Sequence, residues 1–497
     1  MTIKKYILAI DQGTSSTKAL LFDEAGIAIA RGAESLHTNY FDNGFVEQDA
    51  ETIFQNVLAA VKKCLNDFEQ KGFDKNKIVT IGISNQRETF VVWDKNGTPL
   101  HNAIVWQCKR SVHICEQLKQ QNLSAKINQK TGLIIDPYFS ATKLIWLVQN
   151  NKTIKEAVQN RNAFFGTIDT WLLYKLTNGK EFATDYTNAS RTLLFNLHTL
   201  QWDEELIQAL GLTGINLPQI KSSSAAFGAT TLNGLLQSAI PVTALVGDSH
   251  AAAFGEGCFE KGSAKATLGT GCSILMNIGN QPVQSQNGMV TTVCWSIAGR
   301  IDYALEGVIV SCGATIEWLK NELNLFNDSK DTAAMANAVA DNGGVYLIPA
   351  FSGLGSPHWD MERKASLTGM SFGTTKNHVV RAALESVPYQ VKDVIVAMEK
   401  DAGIQLQTLM ANGGITANEF VIQFLADLLQ KNVVTIGNPD VSALGAAYLA
   451  GLQAGVYAGI EDLQQLNKEK KHCQPSANNA KVNEGYNGWQ QTIKLKH

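Results

Sequence analysis

Two short segments, far apart in the chain, carry residues suited to holding a polyphosphate. Ile10-Asp11-Gln12-Gly13-Thr14-Ser15-Ser16-Thr17-Lys18 lies near the N-terminus and Leu268-Gly269-Thr270-Gly271-Cys272-Ser273 near the middle. Each is a tight Gly-Thr turn between apolar, β-prone stretches. Glycine lets the backbone approach a bulky anion, and threonine and serine add hydroxyl donors. Two such turns, one in each half, suggest two loops closing on the same phosphate chain. Asp11, where the first strand meets its turn, can hold a hydrated Mg²⁺ against phosphate oxygens, because Mg²⁺ keeps waters and takes few protein ligands. The same residue can instead end a strand with an Asx-turn. No GxxxxGK[ST] run is present and no GxGxxG follows a strand, so neither a P-loop nor a dinucleotide fold is indicated.

Three further constellations could work on a hydroxylated substrate. Arg87-Glu88 joins a donor fork to a carboxylate that accepts from hydroxyls, which suits a polyol; adjacent Arg and Glu also form ordinary surface pairs. Trp106 could lie on the C–H face of such a ligand or belong to a core. In Val246-Gly247-Asp248 a strand feeds a carboxylate at the mouth of an Ala-rich helix. That position suits a general base taking the proton of an attacking hydroxyl, and it equally suits a helix cap. His250 reads as structural. Asn412-Gly413-Gly414 with Asn418 offers bare backbone on which adenine or ribose could lie, or simply a strand-to-helix turn.

These residues need elements to position them. Tyr6–Ile10, Ala19–Phe22 and Ile27–Ala30 read as strands, and a helix starts after the cap Asp49 with Ile53, Val57, Val61 and Leu65 at spacing four. Ile78–Ile83 is a buried strand ending at Ser84-Asn85-Gln86-Arg87-Glu88. The second half opens alike, with strands Ala264–Leu268 and Ser273–Asn277 around the second turn. Helical patterns follow at Ala314–Leu325, His378–Lys400, Asn418–Leu429 and Ala443–Ala454, with strands at Leu406–Ala411 and Val433–Ile436. Two α/β domains are therefore expected, 1–255 and 256–497, the first with the polyol groups and first phosphate loop, the second with the nucleotide groups.

The bulk composition narrows the class. A chain of 497 residues with 45% apolar and 18% charged residues can bury substantial cores, and a net charge of −3 gives no reason to expect a nucleic-acid surface. The eight cysteines form no CxxC pair and suit a reducing cytoplasm rather than a zinc or disulfide framework. No apolar run approaches a membrane span or a signal-peptide core.

Taken together, these segments resemble the FGGY family of carbohydrate kinases over nearly the whole chain, most closely its members that phosphorylate glycerol. The most specific carriers are Asn85-Gln86-Arg87-Glu88-Thr89 and the run Thr184-Asp185-Tyr186-Thr187-Asn188-Ala189-Ser190-Arg191-Thr192. Ile135-Asp136-Pro137-Tyr138-Phe139-Ser140, Asp169-Thr170-Trp171, Tyr303-Ala304-Leu305-Glu306-Gly307 and Ala443–Gly451 also match. The resemblance implies two actin-like (ribonuclease-H-like) α/β domains flanking a catalytic cleft, ATP and Mg²⁺ as cofactors, glycerol phosphorylated to sn-glycerol 3-phosphate, and a homodimer or homotetramer. It implies Asp248 as the base, with Arg87, Glu88, Trp106, Tyr138, Asp248, Ser249 and Ser273 around the polyol. It implies Asp11 at the metal. Thr14, Ser15, Ser16, Lys18, Gly269, Thr270, Gly313, Glu317, Gly414 and Asn418 correspond to the nucleotide contacts.

The chain departs from that pattern in places. Ser249 and His250 stand where the family has two glutamines, and Ser273 where it has phenylalanine, so the polyol pocket could admit a longer polyol. Lys18 replaces an arginine, Glu317 a glutamine and Asn412 an aspartate. Leu232–Gln237 does not match the family's fructose-bisphosphate loop, and no histidine lies between Ser222 and Val246 to accept regulatory phosphate. The alternatives to glycerol are a tetritol, pentitol or ketose, or an actin-like ATPase that is not a kinase.

Overall fold

The computed structural model describes residues 4–466, 470–477 and 480–495. Two large sheets organise them. The first is six-stranded, in the order Ala229–Thr230, Ile240–Gly247, Ile78–Asn85, Tyr6–Gln12, Ser16–Asp23, Ala28–Ser35. Tyr6–Gln12 runs antiparallel to Ser16–Asp23 and parallel to Ile78–Asn85, which is parallel to Ile240–Gly247. The second is seven-stranded, in the order Val290–Ile297, Arg300–Ile309, Cys272–Gly279, Ser263–Leu268, Thr408–Asn412, Asn432–Ile436, Lys470–Cys473. Here too a hairpin, Ser263–Leu268 with Cys272–Gly279, lies beside two parallel strands. Each Gly-Thr turn closes the equivalent hairpin of its sheet. The expected strands are all present, and all but one run one or more residues longer than the apolar runs that announced them, because pairing extends a ladder past the buried positions; the exception, expected over Leu406–Ala411, starts later and spans Thr408–Asn412.

Helix Ala50–Gln70 starts at the expected cap, with Asp49 accepting from Thr52 N, and lays Ile53, Phe54, Val57, Val61 and Leu65 on the first sheet. A smaller five-stranded sheet, Asn39–Tyr40, Val46–Gln48, Ala103–Ile104, Phe90–Trp93 and Phe164–Thr167, is built onto the first half. The corner between Ile78–Asn85 and Phe90–Trp93 carries Arg87 and Glu88. Glu88 turns it with a left-handed φ of 60°, and Thr89 N closes it by donating to Arg87 O at 2.7 Å.

The two sheets face each other across a shared core. Ile7, Ala9, Phe22 and Val246 of the first meet Leu275, Trp295 and Ala304 of the second through the helices Asp248–Glu256 and Val441–Gln453. Although it belongs to the second half by sequence, the latter helix packs on the first sheet. Apolar length cannot explain so close a crossing; missing side chains do. A Cβ on Gly445 would stand 1.8 Å from Ala251 O, one on Gly255 2.4 Å from Val441 O, and one on Gly82 2.2 Å from Ala446 O. No helix among the described residues is long and apolar enough to cross a membrane, and all eight cysteines are unpaired.

Gly445→Ala forces backbone apart at that crossing, so it is expected to destabilise the protein by at least about 1–3 kcal/mol. Gly373→Ala, whose added methyl meets only Ser371 Oγ at 3.7 Å, should stay within about 0.5 kcal/mol. Urea titration of both variants checks this, and equal midpoints would refute the close-crossing account.

Candidate active site

Between the two sheets lies a cavity of about 800 Å³. It brings together Asp11, Thr14, Lys18, Arg87, Glu88, Trp106, Tyr138, Asp248, Ser249, Ser273 and Gly414 of the expected site residues. One end is rich in charge and hydroxyls, and the other is formed by the backbone of Asn412-Gly413-Gly414 and Ile436–Pro439.

At the charged end, Arg87 and Glu88 are not a surface pair: Arg87 is 6% and Glu88 1% exposed. Arg87 Nη2 donates to Glu306 Oε1 at 2.7 Å, and its Nε lies 3.5 Å from Asp248 Oδ1. Arg191 Nε lies 2.6 Å from Glu88 Oε1, and its Nη1 is 2.7 Å from Glu306 Oε2. Two guanidiniums thus share three carboxylates, one of them contributed by the second sheet. Burial alone would raise the pKa of Glu306, but Arg191 and Arg87 overcome it and hold this carboxyl far below the ordinary range. Among the described residues Arg87 Nη1, though buried, has no hydrogen-bond partner, so its two N–H groups remain for ligand oxygens at the cavity that Arg87 lines. Arg191 and Glu306 were not among the expected site residues. The signal was there, since both lie in the resemblance-carrying runs, but only the fold shows that they meet Arg87 and Glu88.

Asp248 is the first residue of its helix, not its cap; Gly247 occupies the cap position. Its Oδ1 accepts from Ser249 N at 2.6 Å. Burial raises its pKa and Arg87 opposes the rise. His250, one turn-step further, points into the core; neither ring nitrogen has a partner among the described residues, and burial holds it neutral.

Trp106 and Tyr138 meet edge to face, 5.6 Å between ring centroids. Trp106 Nε1 donates to Thr14 Oγ1 at 2.9 Å, which links the aromatic wall to the first phosphate turn. Gln86 accepts from Thr14 Oγ1 and Thr89 Oγ1 and donates to Gln48 Oε1 at 2.9 Å, and Gln48 in turn donates to Thr14 O at 2.7 Å. The Tyr138 loop is pinned by buried Lys143, whose Nζ donates to the carbonyls of Pro137, Tyr138 and Phe139; burial lowers its pKa to about 8. Gln48, Gln86 and Lys143 are positioning residues that only the packed structure discloses.

Midway along the cavity, Asp11 accepts from Ser84 Oγ at 2.8 Å. Burial pushes its pKa up to about 6, with Asp248 and Asp440 adding to the rise and the Ser84 hydrogen bond and Lys18 opposing it. Among the described residues no group of three or more Asp, Glu, His or Cys could enclose a metal, so a cation at Asp11 would rest on few protein ligands, as Mg²⁺ does. Lys18 Nζ lies 3.0 Å from Asp440 Oδ1, and Arg31 holds the other oxygen of Asp440 at 2.6 Å.

The remaining expected nucleotide residues are not part of the cavity lining. Ser15 and Thr270 are exposed at the tips of the two turns, and Ser16 begins the second strand of its hairpin. Gly269 and Gly313 touch backbone to backbone: Gly313 N donates to Gly269 O at 2.9 Å, and a Cβ on Gly313 would lie 2.7 Å from that oxygen. Gly413, with φ 95°, passes equally close to Leu268 O. Glu317 is exposed on helix Gly313–Asn321 and accepts from Ser329 Oγ at 3.3 Å. Asn418 caps helix Glu419–Leu429 and donates to Thr332 Oγ1 at 2.9 Å.

Residues 6–255 match the N-terminal domain of the FGGY family of carbohydrate kinases, and residues 264–454 its C-terminal domain. A glycerol kinase of Carboxydothermus hydrogenoformans is 45% identical over 491 residues, covering 99% of this chain and 98% of the relative. One of Pseudomonas fluorescens is 44% identical, covering 99% and 96%. The crystal structure of Plasmodium falciparum glycerol kinase with ADP matches with a TM-score of 0.94 at 34% identity, covering 99% of both chains. Gluconate kinase from Lactobacillus acidophilus shares the fold, with a TM-score of 0.88 at 24% identity over 99% of this chain and 98% of that one.

Glu306→Gln keeps the shape of the side chain but leaves two buried guanidiniums short of one negative charge. Its expected cost is about 3–5 kcal/mol, read as a lower urea midpoint at unchanged slope. An unshifted midpoint would show that the network contributes nothing to stability.

Proposed function

The chain belongs to the FGGY family of carbohydrate kinases, with that family's two-domain actin-like (ribonuclease-H-like) fold, and on that premise we propose that it transfers the γ-phosphoryl group of ATP to glycerol, giving sn-glycerol 3-phosphate. One observation carries this reading: Arg87, Glu88, Trp106, Tyr138 and Asp248 converge at one end of the same cavity whose other end is the bare backbone of Gly413-Gly414.

In this reading an N–H of Arg87 Nη1 donates to one glycerol hydroxyl and Glu88 accepts from another. The faces of Trp106 and Tyr138 cover the carbon chain. Asp248 accepts the proton of the attacking hydroxyl as its oxygen bonds to the γ-phosphorus. The bond from that phosphorus to the bridging oxygen breaks, and ADP leaves. Such a base contributes about 10²–10⁴-fold. Thr14, Ser15, Ser16 and Lys18 of the first turn and Gly269 and Thr270 of the second hold the phosphates, while Gly313, Glu317, Gly414 and Asn418 surround the nucleoside. Lys18 exchanges Asp440 for phosphate as ATP enters. Asp11 would hold Mg²⁺, which when bound neutralises charge on the phosphate oxygens. We take 1–255 and 256–497 as the closing domains. Closure around the shared helices excludes water and limits loss of ATP to hydrolysis.

Asp248→Asn is expected to lower kcat at least 10²-fold in a coupled ADP-release assay with glycerol, with the fold intact by circular dichroism. Near-normal turnover would defeat the assignment of the base. The pH profile gives a second check. Asp248 and Asp11 act as carboxylates and both titrate above the ordinary range, Asp11 at about 6. Protonation removes the acceptor and the anionic site, so kcat/KM should fall as pH drops below about 6. A profile flat to pH about 4.5, near the ordinary carboxylate range, would contradict it.

A further inference from the structure

The wall of the cavity beside Asp248 carries polar groups beyond those assigned to glycerol above. Lys265, on the strand Ser263–Leu268, is 1% exposed and lines the cavity. Its Nζ donates to Ser249 Oγ at 2.7 Å, the one side-chain hydrogen bond it makes among the described residues. Ser249 Oγ stands 3.4 Å from Ser273 Oγ, and Ser273 Oγ donates to Glu306 Oε1 at 3.3 Å. The row therefore ends on the same carboxylate oxygen that Arg87 holds, continuous with the polyol end of the site.

Three features make this row a place for a ligand oxygen. An ammonium has three N–H donors, and among the described residues one hydrogen bond, to Ser249, engages Lys265 Nζ. The two hydroxyl contacts are at the long edge of hydrogen bonding, so an oxygen entering between the serines exchanges weak bonds for better ones. Burial works against the charge of Lys265 and Arg87 adds to that, while Glu256, Asp248 and Glu306 support it, so an oxygen accepting from Nζ would supply a bond that the buried ammonium lacks. An apolar wall would strip water from an added hydroxyl and return nothing.

We infer that Lys265, Ser249 and Ser273 form a subsite for one further hydroxylated carbon, so that the chain phosphorylates a tetritol as well as glycerol. The inference rests on the polyol-kinase reading above and names its substrate class.

Coupled ADP-release assays of the intact protein with glycerol, erythritol and threitol test it, alongside Ser273→Phe and Lys265→Met. The ratio of tetritol to glycerol kcat/KM is internal to each variant, so partial loss of folded enzyme cancels. In the unmodified protein at least one tetritol should reach within about tenfold of glycerol, and each substitution should lower that ratio at least about tenfold, or 1.4 kcal/mol of transition-state binding. Glycerol turnover with every tetritol below that tenfold range, or a ratio that either substitution leaves in place, overturns the subsite. Absence of turnover with glycerol and tetritols alike overturns instead the polyol-kinase reading beneath it.

Discussion

The architecture around the cleft depends on keeping two buried guanidiniums neutralised. Arg87 and Arg191 come from the first half of the chain. Neither can be withdrawn from water without carboxylates in contact, because an unpaired buried charge costs several kcal/mol. Glu88 supplies one partner locally and Glu306 the other from the opposite sheet. The strand Arg300–Ile309 must therefore sit where its carboxylate reaches both arginines, and that fixes the two sheets relative to each other at the polyol end. Among the described residues the same pairing leaves Arg87 Nη1 without a partner and places Asp248 beside the guanidinium, so the interaction that holds the halves in register also sets the polar groups that the proposed function uses.

Beneath the charges, the constraint is steric. The helices Asp248–Glu256 and Val441–Gln453 cross with backbone nearly touching at Gly255 and Gly445, and the second of them lies against Gly82 of the first sheet. Side chains there would push the sheets apart and widen the cleft. Small residues let the helix Asp248–Glu256 start at the cleft floor, with Asp248 at its first position. Above, the two Gly-Thr turns, far apart in sequence, close equivalent hairpins of the two sheets. Gln86 then couples the first turn to the aromatic wall through Thr14 and Thr89, so the phosphate and polyol ends share one hydrogen-bonded frame.

Much of this was legible in the chain. Asp49 announced a helix start and accepts the capping bond expected of it, whereas Asn418, expected at the nucleotide, turns out to cap the helix it was expected to begin. The apolar runs placed the strands, and the positions expected for polyol, base and metal all line one cavity. Other features were hidden for identifiable reasons. Nothing local separates Arg87-Glu88 from an exposed pair, since burial is set by strands and helices elsewhere. Arg191 lies 103 residues from Glu88, and Glu306 lies 219 from Arg87. Lys143 and Lys265 look like ordinary surface lysines until the fold buries them. Glu317, expected at the nucleotide, is exposed on its helix, and Asn418 spends its side chain on a cap and on Thr332.

By itself the sequence determined what is encoded over a few residues: glycine where a turn must tighten or a backbone must pass, a cap before a periodic apolar stripe, and the chemical types carried at the ends of strands. These follow from local sterics and short-range hydrogen bonding, which neighbours in the chain largely settle. Only the tertiary structure decided which charges lost their water and which partner met each of them. It alone joined Lys265, Ser249 and Ser273 into one polar wall beside Asp248. Desolvation and ion pairing depend on every element packed around a group, and no stretch of sequence contains that information.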